Sequence, residues 1–377
     1  MMTHVTDAVL HIVNWIYPDG LIYIAALSLL VFVHEFGHFW VARRCGVRVE
    51  MFSIGFGGEL FGWTDRLGTR WRVGWLPIGG FVKMFGDADA ASRPDFSAAT
   101  AMTPLERRVS FIYKALWQKA LIISAGPGAN FLFAIVVMAT LFATYGQPFT
   151  PPVVGKVQAG SAAEEAGLQP GDVVQTIDGA GIDRFEDLRQ IVLLHPGETL
   201  LIALLRDGQT LSVAATPRMV EEKDIVGNTE RIGLLGVSPS SDVVLRHENI
   251  PTALWQATRE VWSIASNSLE AIGQMITGRR SADDLHGPIG IGRIVGEVSH
   301  QGFLPFIQLV AFISVSLGLV NLFPIPVLDG GHLLFYAIEA VRRRPISERT
   351  LAVGFRLGLA LIVSFFVFVT WNDITKH

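Results

Sequence analysis

GLIYIAALSLLVFVHEFGHFWVA, residues 20–42, carries His34-Glu35-Phe36-Gly37-His38 inside an apolar run whose first part, residues 20–33, holds no charge. About 20 apolar residues are enough to cross a bilayer as a helix. Three ionisable groups in such a helix are costly unless they face protein, a metal or a wet cavity. The spacing suggests which. On a helix, positions i and i+4 share a face one turn apart, so His34 and His38 can bind one zinc ion through their imidazoles. Glu35 lies beside them and can take a proton from the water that a zinc acidifies. His-Glu-x-x-His alone arises by chance; within an apolar run it argues for hydrolysis in, or at the edge of, a membrane.

Working outward, three more segments reach spanning length: residues 120–145 and 302–328, both uncharged, and residues 351–371, with only Arg356 near one end. The 377-residue chain is 17% charged with mean hydropathy +0.41, whereas soluble domains are about a quarter charged. The fold class expected is a polytopic α-helical membrane protein with about four transmembrane helices. Residues 1–19 contain no Lys or Arg, and cleavage after the apolar run would remove HEFGH, so a signal peptide is rejected.

Basic residues orient the spans. Arg43, Arg44 and Arg48 follow the first, Arg107, Arg108, Lys114 and Lys119 precede the second, and Arg342, Arg343, Arg344 and Arg349 lie between the third and fourth. These ends are expected to be cytoplasmic. Residues 150–300 then lie on the opposite side, and the two histidines lie in the cytoplasmic half of the membrane. Residues 150–300 hold 12 Lys/Arg against 20 Asp/Glu and the remainder 18 against 14, so the basic residues belong to the membrane part and nucleic acid is not an expected partner. Cys45 is the only cysteine, which excludes an intramolecular disulfide and a cysteine-based zinc site.

A catalytic zinc takes three protein ligands, and no third His follows His38 at the spacing of the longer zinc-peptidase motifs. NLFPIPVLDGGH, residues 321–332, offers a candidate. Asp329 ends an uncharged span, after Pro324 and Pro326 have broken the helix. Unwound backbone at membrane depth is tolerated only where it meets protein or a water-filled cavity. His332 is a second candidate, and an interfacial Asp that merely caps the next helix is the alternative.

HEFGH (34–38), LPIGGFVKM (76–84), GPGANF (126–131), HGPIGI (286–291) and NLFPIPVLDGGH (321–332) occur in this order and cover most of the chain. Together they resemble the site-2 protease family of intramembrane zinc metalloproteases, peptidase family M50, and most of all its bacterial regulator of sigma-E protease group. The resemblance implies Zn2+ held by His34, His38 and Asp329, with Glu35 as catalytic base. It implies substrate binding by Asn321 and Asn130; for Asn130 an interhelical hydrogen bond is the alternative.

Between the motifs, residues 51–85 are dense in Gly and aromatic residues and read as membrane-associated β-hairpins near the site. An exposed strand edge there can capture an extended substrate by β-addition, or the sheet is purely structural. Residues 87–102 read as a flexible cytoplasmic loop. Residues 150–240 resemble an inserted PDZ-like α+β module, expected to be extracytoplasmic. Its strands are expected at 153–157, 173–177, 199–205 and 210–215, its helices at 161–166 and 185–194, and turns at Asp178-Gly179 and Asp207-Gly208. The group often carries two such modules in tandem; one is visible here. Residues 250–276 have helical spacing and read as an amphipathic surface helix, or else a fifth span, within a connector over 241–300. His286 is expected to be structural, and residues 286–291 a loop leading to the third span. The divisions are therefore 1–50, 51–119, 120–146, 150–240, 241–300 and 301–377.

A non-catalytic scaffold bearing a PDZ-like module is disfavoured by the intact His34, Glu35, His38 and Asp329, and a transporter by the absence of an inverted repeat. An intramembrane zinc endopeptidase is the expected function. The resemblance implies regulated intramembrane proteolysis of pre-cleaved single-pass proteins, such as an anti-sigma factor in envelope-stress signalling, and of signal-peptide remnants. It further implies the bacterial inner membrane, with a periplasmic PDZ-like module that binds a peptide ligand or acts as a steric filter.

Overall fold

A computed structural model describes residues 19–87, 100–182, 184–223, 229–240, 244–246, 249–277 and 287–375. Residues 1–18, most of the expected loop at 87–102, and His286 lie outside the described residues.

Helix α1, Leu21–Arg44, is a largely apolar helix that stops at Cys45-Gly46. Gly46 has φ +69. Its N–H bonds the Arg43 carbonyl and that of Val47 the Ala42 carbonyl, so the last turn is closed by a left-handed glycine. Strands β1, Val49–Thr64, and β2, Arg70–Met84, follow. They form one bent ribbon instead of several hairpins. Residues 51–54 pair with 80–83 on one side and 70–73 on the other, and 70–73 pair in turn with 61–64. Segment 80–83 is thereby an outer edge. Helix α2, Pro104–Val109, opens with a Thr103–Glu106 capping box. Helix α3, Leu116–Thr144, contains Pro127. It crosses α1 closely: a Cβ on Gly37 would lie 2.2 Å from the Ala125 carbonyl oxygen. Phe39, Phe52, Met84, Ile122 and Ile123 form the core between α1, the ribbon and α3.

Residues 140–253 and 270–281 form a second compact unit. It begins with β3, Gln147–Phe149, β4, Val154–Val157, and helix α4, Ala162–Glu165. Then come β5, Val173–Ile177, β6, Ala180–Gly181, helix α5, Phe185–Leu194, β7, Leu200–Arg206, and β8, Gln209–Ala215. The sheet order is β6-β5-β7-β8. Both Asp-Gly turns have positive φ at each residue (49 and 83, 50 and 81), the geometry of tight hairpins. Ile177, Leu188, Ile202 and Leu204 fill the core. Strands β9, Arg218–Lys223, and β10, Thr229–Leu234, pair together; β11, Val237–Pro239, pairs with β4, and β12, Val244–Arg246, with β3. The GLQPGD turn is fixed by Asp172, which accepts two bonds of 2.7 Å from Arg206 and one of 2.8 Å from the Gln169 N–H.

Helix α6, Ile250–Ile276, buries Ala253, Ala257 and Val261 at helical spacing and exposes Trp255 and Trp262. Helix α7, Pro288–His300, corrects the loop expected at 286–291. Pro288 sits at its first turn, and the Asp373 carboxylate accepts the Gly287 and Gly290 N–H groups at 2.9 Å each. Helix α8, Phe303–Asn321, ends seven residues before the expected limit of the third span at 328; Pro324 and Pro326, which lack N–H groups, prevent its continuation. Helices α9, Asp329–Arg342, and α10, Glu348–Thr375, complete the chain. Among the described residues, α1, α3, α8 and α10 are long and apolar enough to cross a membrane, and α6 is not among them.

Candidate metal centre

His34 and His38 project from one face of α1, their Nε2 atoms 3.2 Å apart. Asp329, first residue of α9, places Oδ2 3.2 Å from His34 Nε2 and 3.4 Å from His38 Nε2. A tetrahedral zinc with bonds of about 2.0–2.1 Å sets its ligand atoms about 3.3 Å apart, so this triangle has the required size. Among the described residues it is the group of three whose ligand atoms lie within 4.8 Å of one another.

Hydrogen bonding supports the same fit. His38 Nδ1 lies 2.9 Å from the Ile122 carbonyl, which can only accept. The proton is therefore on Nδ1, and Nε2 turns its lone pair inward. Among the described residues, Asp329 Oδ2 is buried without a hydrogen-bond partner. Lone pairs converging at this range repel unless a cation lies among them, and a zinc ion meets that requirement.

Local sequence explains the convergence. A Cβ on Gly330 would lie 2.2 Å from the Leu322 carbonyl oxygen, and one on Gly331 2.4 Å from that of Ile325. Only glycines let the loop after α8 fold back over the start of α9. Val327, two residues before Asp329, has φ +95, an uncommon backbone for a β-branched residue and typical of strain held at a site. The loop is pressed from behind by α10, where a Cβ on Gly358 would lie 1.9 Å from the Pro326 oxygen.

The triangle opens on a cavity of about 240 Å³ that Glu35 and Asn321 also line. Gly80, Val82 and Met84, alternate residues of the ribbon's outer segment, form another wall. The Val82 N–H faces the Glu35 carboxylate. Asn321 Nδ2 donates to the Leu317 carbonyl at 3.0 Å. His332 lines the cavity but stands outside the triangle, its ring 5.3 Å from that of Phe355. Asn130 is fully buried away from the cavity lining, against α8. Its backbone carbonyl accepts from Ser314 Oγ at 3.0 Å, while its side-chain amide has no partner among the described residues. The interhelical bond thus runs through backbone, not through the amide.

Sequence reasoning missed two contributors, the Ile122 carbonyl and Gly126, and it set residues 51–85 near the site without singling out residues 80, 82 and 84. A Cβ on Gly126 would lie 2.2 Å from His38 Nε2 and 2.9 Å from His34 Cε1. The signal was GPGANF, whose asparagine drew attention while its first glycine touches the histidines.

Known proteins agree with this chemistry. Peptidase family M50 matches residues 22–365. "Putative zinc metalloprotease Atu1380" of Agrobacterium fabrum is 44% identical over 94% of this chain and 95% of its own length. "Putative zinc metalloprotease R01501" of Rhizobium meliloti is 43% identical over 92% and 94%. Metalloprotease MmpA of Caulobacter vibrioides is 40% identical over 93% and 94%. Among solved structures, the PDZ domain of the SdrC-like protein from Listeria monocytogenes matches 25% of the chain and 90% of its own length at 16% identity. The TM-score of that match is 0.20.

Proposed function

The chain belongs to peptidase family M50 and is a zinc metalloprotease, and from that premise we propose that it cleaves single-pass membrane proteins inside the bilayer, with His34, His38 and Asp329 as zinc ligands and Glu35 as the proton carrier. The observation that supports this reading is the triangle of 3.2–3.4 Å formed by two residues of an apolar helix and an aspartate that opens the helix after the proline-broken loop.

Bound there, zinc supplies acidified water at neutral pH and polarises a peptide carbonyl. The Glu35 carboxylate accepts the water's proton and later delivers it to the departing amine nitrogen. The Ile122 carbonyl keeps the His38 proton on Nδ1, so the ring presents a lone pair to the metal. A transmembrane helix conceals its peptide carbonyls, so it must be extended to be cut. The outer segment 80–83 has no strand paired on its far side among the described residues, and such a strand would pair there by displacing Glu35 from the Val82 N–H. Asn321, at the cavity wall, would bind substrate backbone; Asn130, outside the cavity, would need the α3–α8 contact to part before it could do so.

The wider reading concerns the cell. Positive residues at the inner ends of the spans favour a cytoplasmic orientation for the site and the opposite side for the module over 150–240. There a PDZ-like module would bind a peptide or exclude bulky substrates, so that only proteins already shortened outside the membrane enter. An anti-sigma factor of envelope-stress signalling and signal-peptide remnants fit that description, in a bacterial inner membrane.

The test is incubation of the purified full-length protein and its Glu35→Gln variant with a single-span model substrate, with and without a zinc chelator. Cleavage is expected only from the untreated parent protein. Cleavage that survives either change would overturn the mechanism.

A further inference from the structure

A second cavity, of about 180 Å³, shares His332 as a wall with the metal cavity. The two differ in chemistry. Ionisable and amide groups crowd the first, whereas seven of the eleven residues around the second are hydrocarbon, including Phe111, Phe335, Ile346, Leu351 and Phe355. Its polar residues are Lys119, His332, Tyr336 and Glu339, the last accepting the Ile346 N–H at 2.9 Å.

Helix α9 fixes where this cavity lies relative to the reacting bond. Asp329 begins the helix, and His332, Tyr336 and Glu339 follow along the face that borders the second cavity. At 1.5 Å per residue, His332 lies about 5 Å and Glu339 about 15 Å along the axis from Asp329. An extended chain advances about 3.3 Å per residue, so a substrate strand leaving the metal along α9 reaches the cavity about two to four residues from the cleaved bond.

We infer that this cavity is a specificity subsite: it receives an apolar side chain of leucine to phenylalanine size from the part of the substrate that runs toward Arg342. The inference rests on the endopeptidase reading. The cavity adjoins the metal cavity across His332, which points to substrate as the occupant. Its hydrocarbon majority favours a hydrocarbon side chain.

The experiment uses the zinc-loaded full-length protein in proteoliposomes. A single-span model substrate carries Ala, Leu, Phe, Trp or Asp at each of four positions on either side of a cleavage site mapped by mass spectrometry. At one position, Leu and Phe are expected to exceed Ala in kcat/KM by about tenfold, the scale of discrimination in an apolar pocket. Leu351→Trp fills the cavity and brings that ratio down to about one. Ile346→Ala enlarges it and raises Trp relative to Leu. Indifference of the parent protein to the guest residue at every position would overturn the subsite. So would a Leu-to-Ala ratio that survives Leu351→Trp, or, if that variant fails to bind zinc, a Trp-to-Leu ratio unmoved by Ile346→Ala. A zinc-loaded parent protein that cuts no substrate at all would instead sink the endopeptidase reading, and the subsite with it.

Discussion

A methyl group placed on Gly126 would sit 2.2 Å from Nε2 of His38, the atom that turns toward Asp329. Helix α3 therefore touches the histidine pair directly, and the identity of one small residue sets where both imidazoles lie.

Gly126→Ala should displace His38 without altering any ligand. A misplacement of about 1 Å at a reacting centre costs about a hundredfold in rate. Peptidase activity is expected to fall by that order, together with zinc content measured by elemental analysis. Full zinc occupancy with full activity would show that α3 yields at no cost.

Asp329→Asn keeps the shape of the side chain and removes the charge. If Asp329 is the third ligand, zinc should fall well below one per chain after dialysis, whereas Glu35→Gln should retain it. Loss of a general base costs about 10²–10⁴-fold in rate, so Glu35→Gln is expected to be metal-loaded and nearly inert. Equal zinc in Asp329→Asn and the parent protein would remove Asp329 from the ligand set.

Asp373→Ala strands the Gly287 and Gly290 amides at the start of α7, where the carboxylate is buried. Each orphaned buried donor costs about 1–3 kcal/mol. A lowered midpoint of thermal unfolding in detergent is expected, with zinc stoichiometry retained at low temperature. An unchanged midpoint would mean that water replaces the carboxylate.

Asp172 links the second unit to pH. Burial pushes its acid upward, but the Arg206 guanidinium and the Gln169 N–H outweigh burial and hold the carboxyl below its ordinary value. A carboxyl held lower in the folded state contributes stability above the unfolded carboxylate range, and that contribution disappears as pH falls through the folded value. Arg206→Ala should move the loss to higher pH. Hydrogen exchange at β5 and β7 in the full-length protein, corrected for intrinsic rates, would show protection failing earlier on acidification; identical acid limbs would contradict the assignment.

The metal triangle was legible in the sequence because each ligand violates its surroundings: charge inside apolar runs, and prolines before Asp329. The second unit was legible because alternation and the Asp-Gly pairs at 178–179 and 207–208 encode strands and turns locally. Helix α7 was not, since three glycines within residues 287–292 read as loop and its stabilising carboxylate lies at position 373. The bent ribbon escaped for a similar reason. Which strands flank residues 51–54 depends on register, and glycine-rich strands specify register weakly. Gly126 escaped because a residue with no side chain announces nothing except through its neighbours.

In the proposed centre two ligands stand at positions 34 and 38 and the third at 329, so a partly translated copy holds the histidines and Glu35 but lacks the carboxylate. Proteolytic competence would be postponed until the third apolar helix and the loop after it had been made, so that a shorter nascent chain could not cut its neighbours.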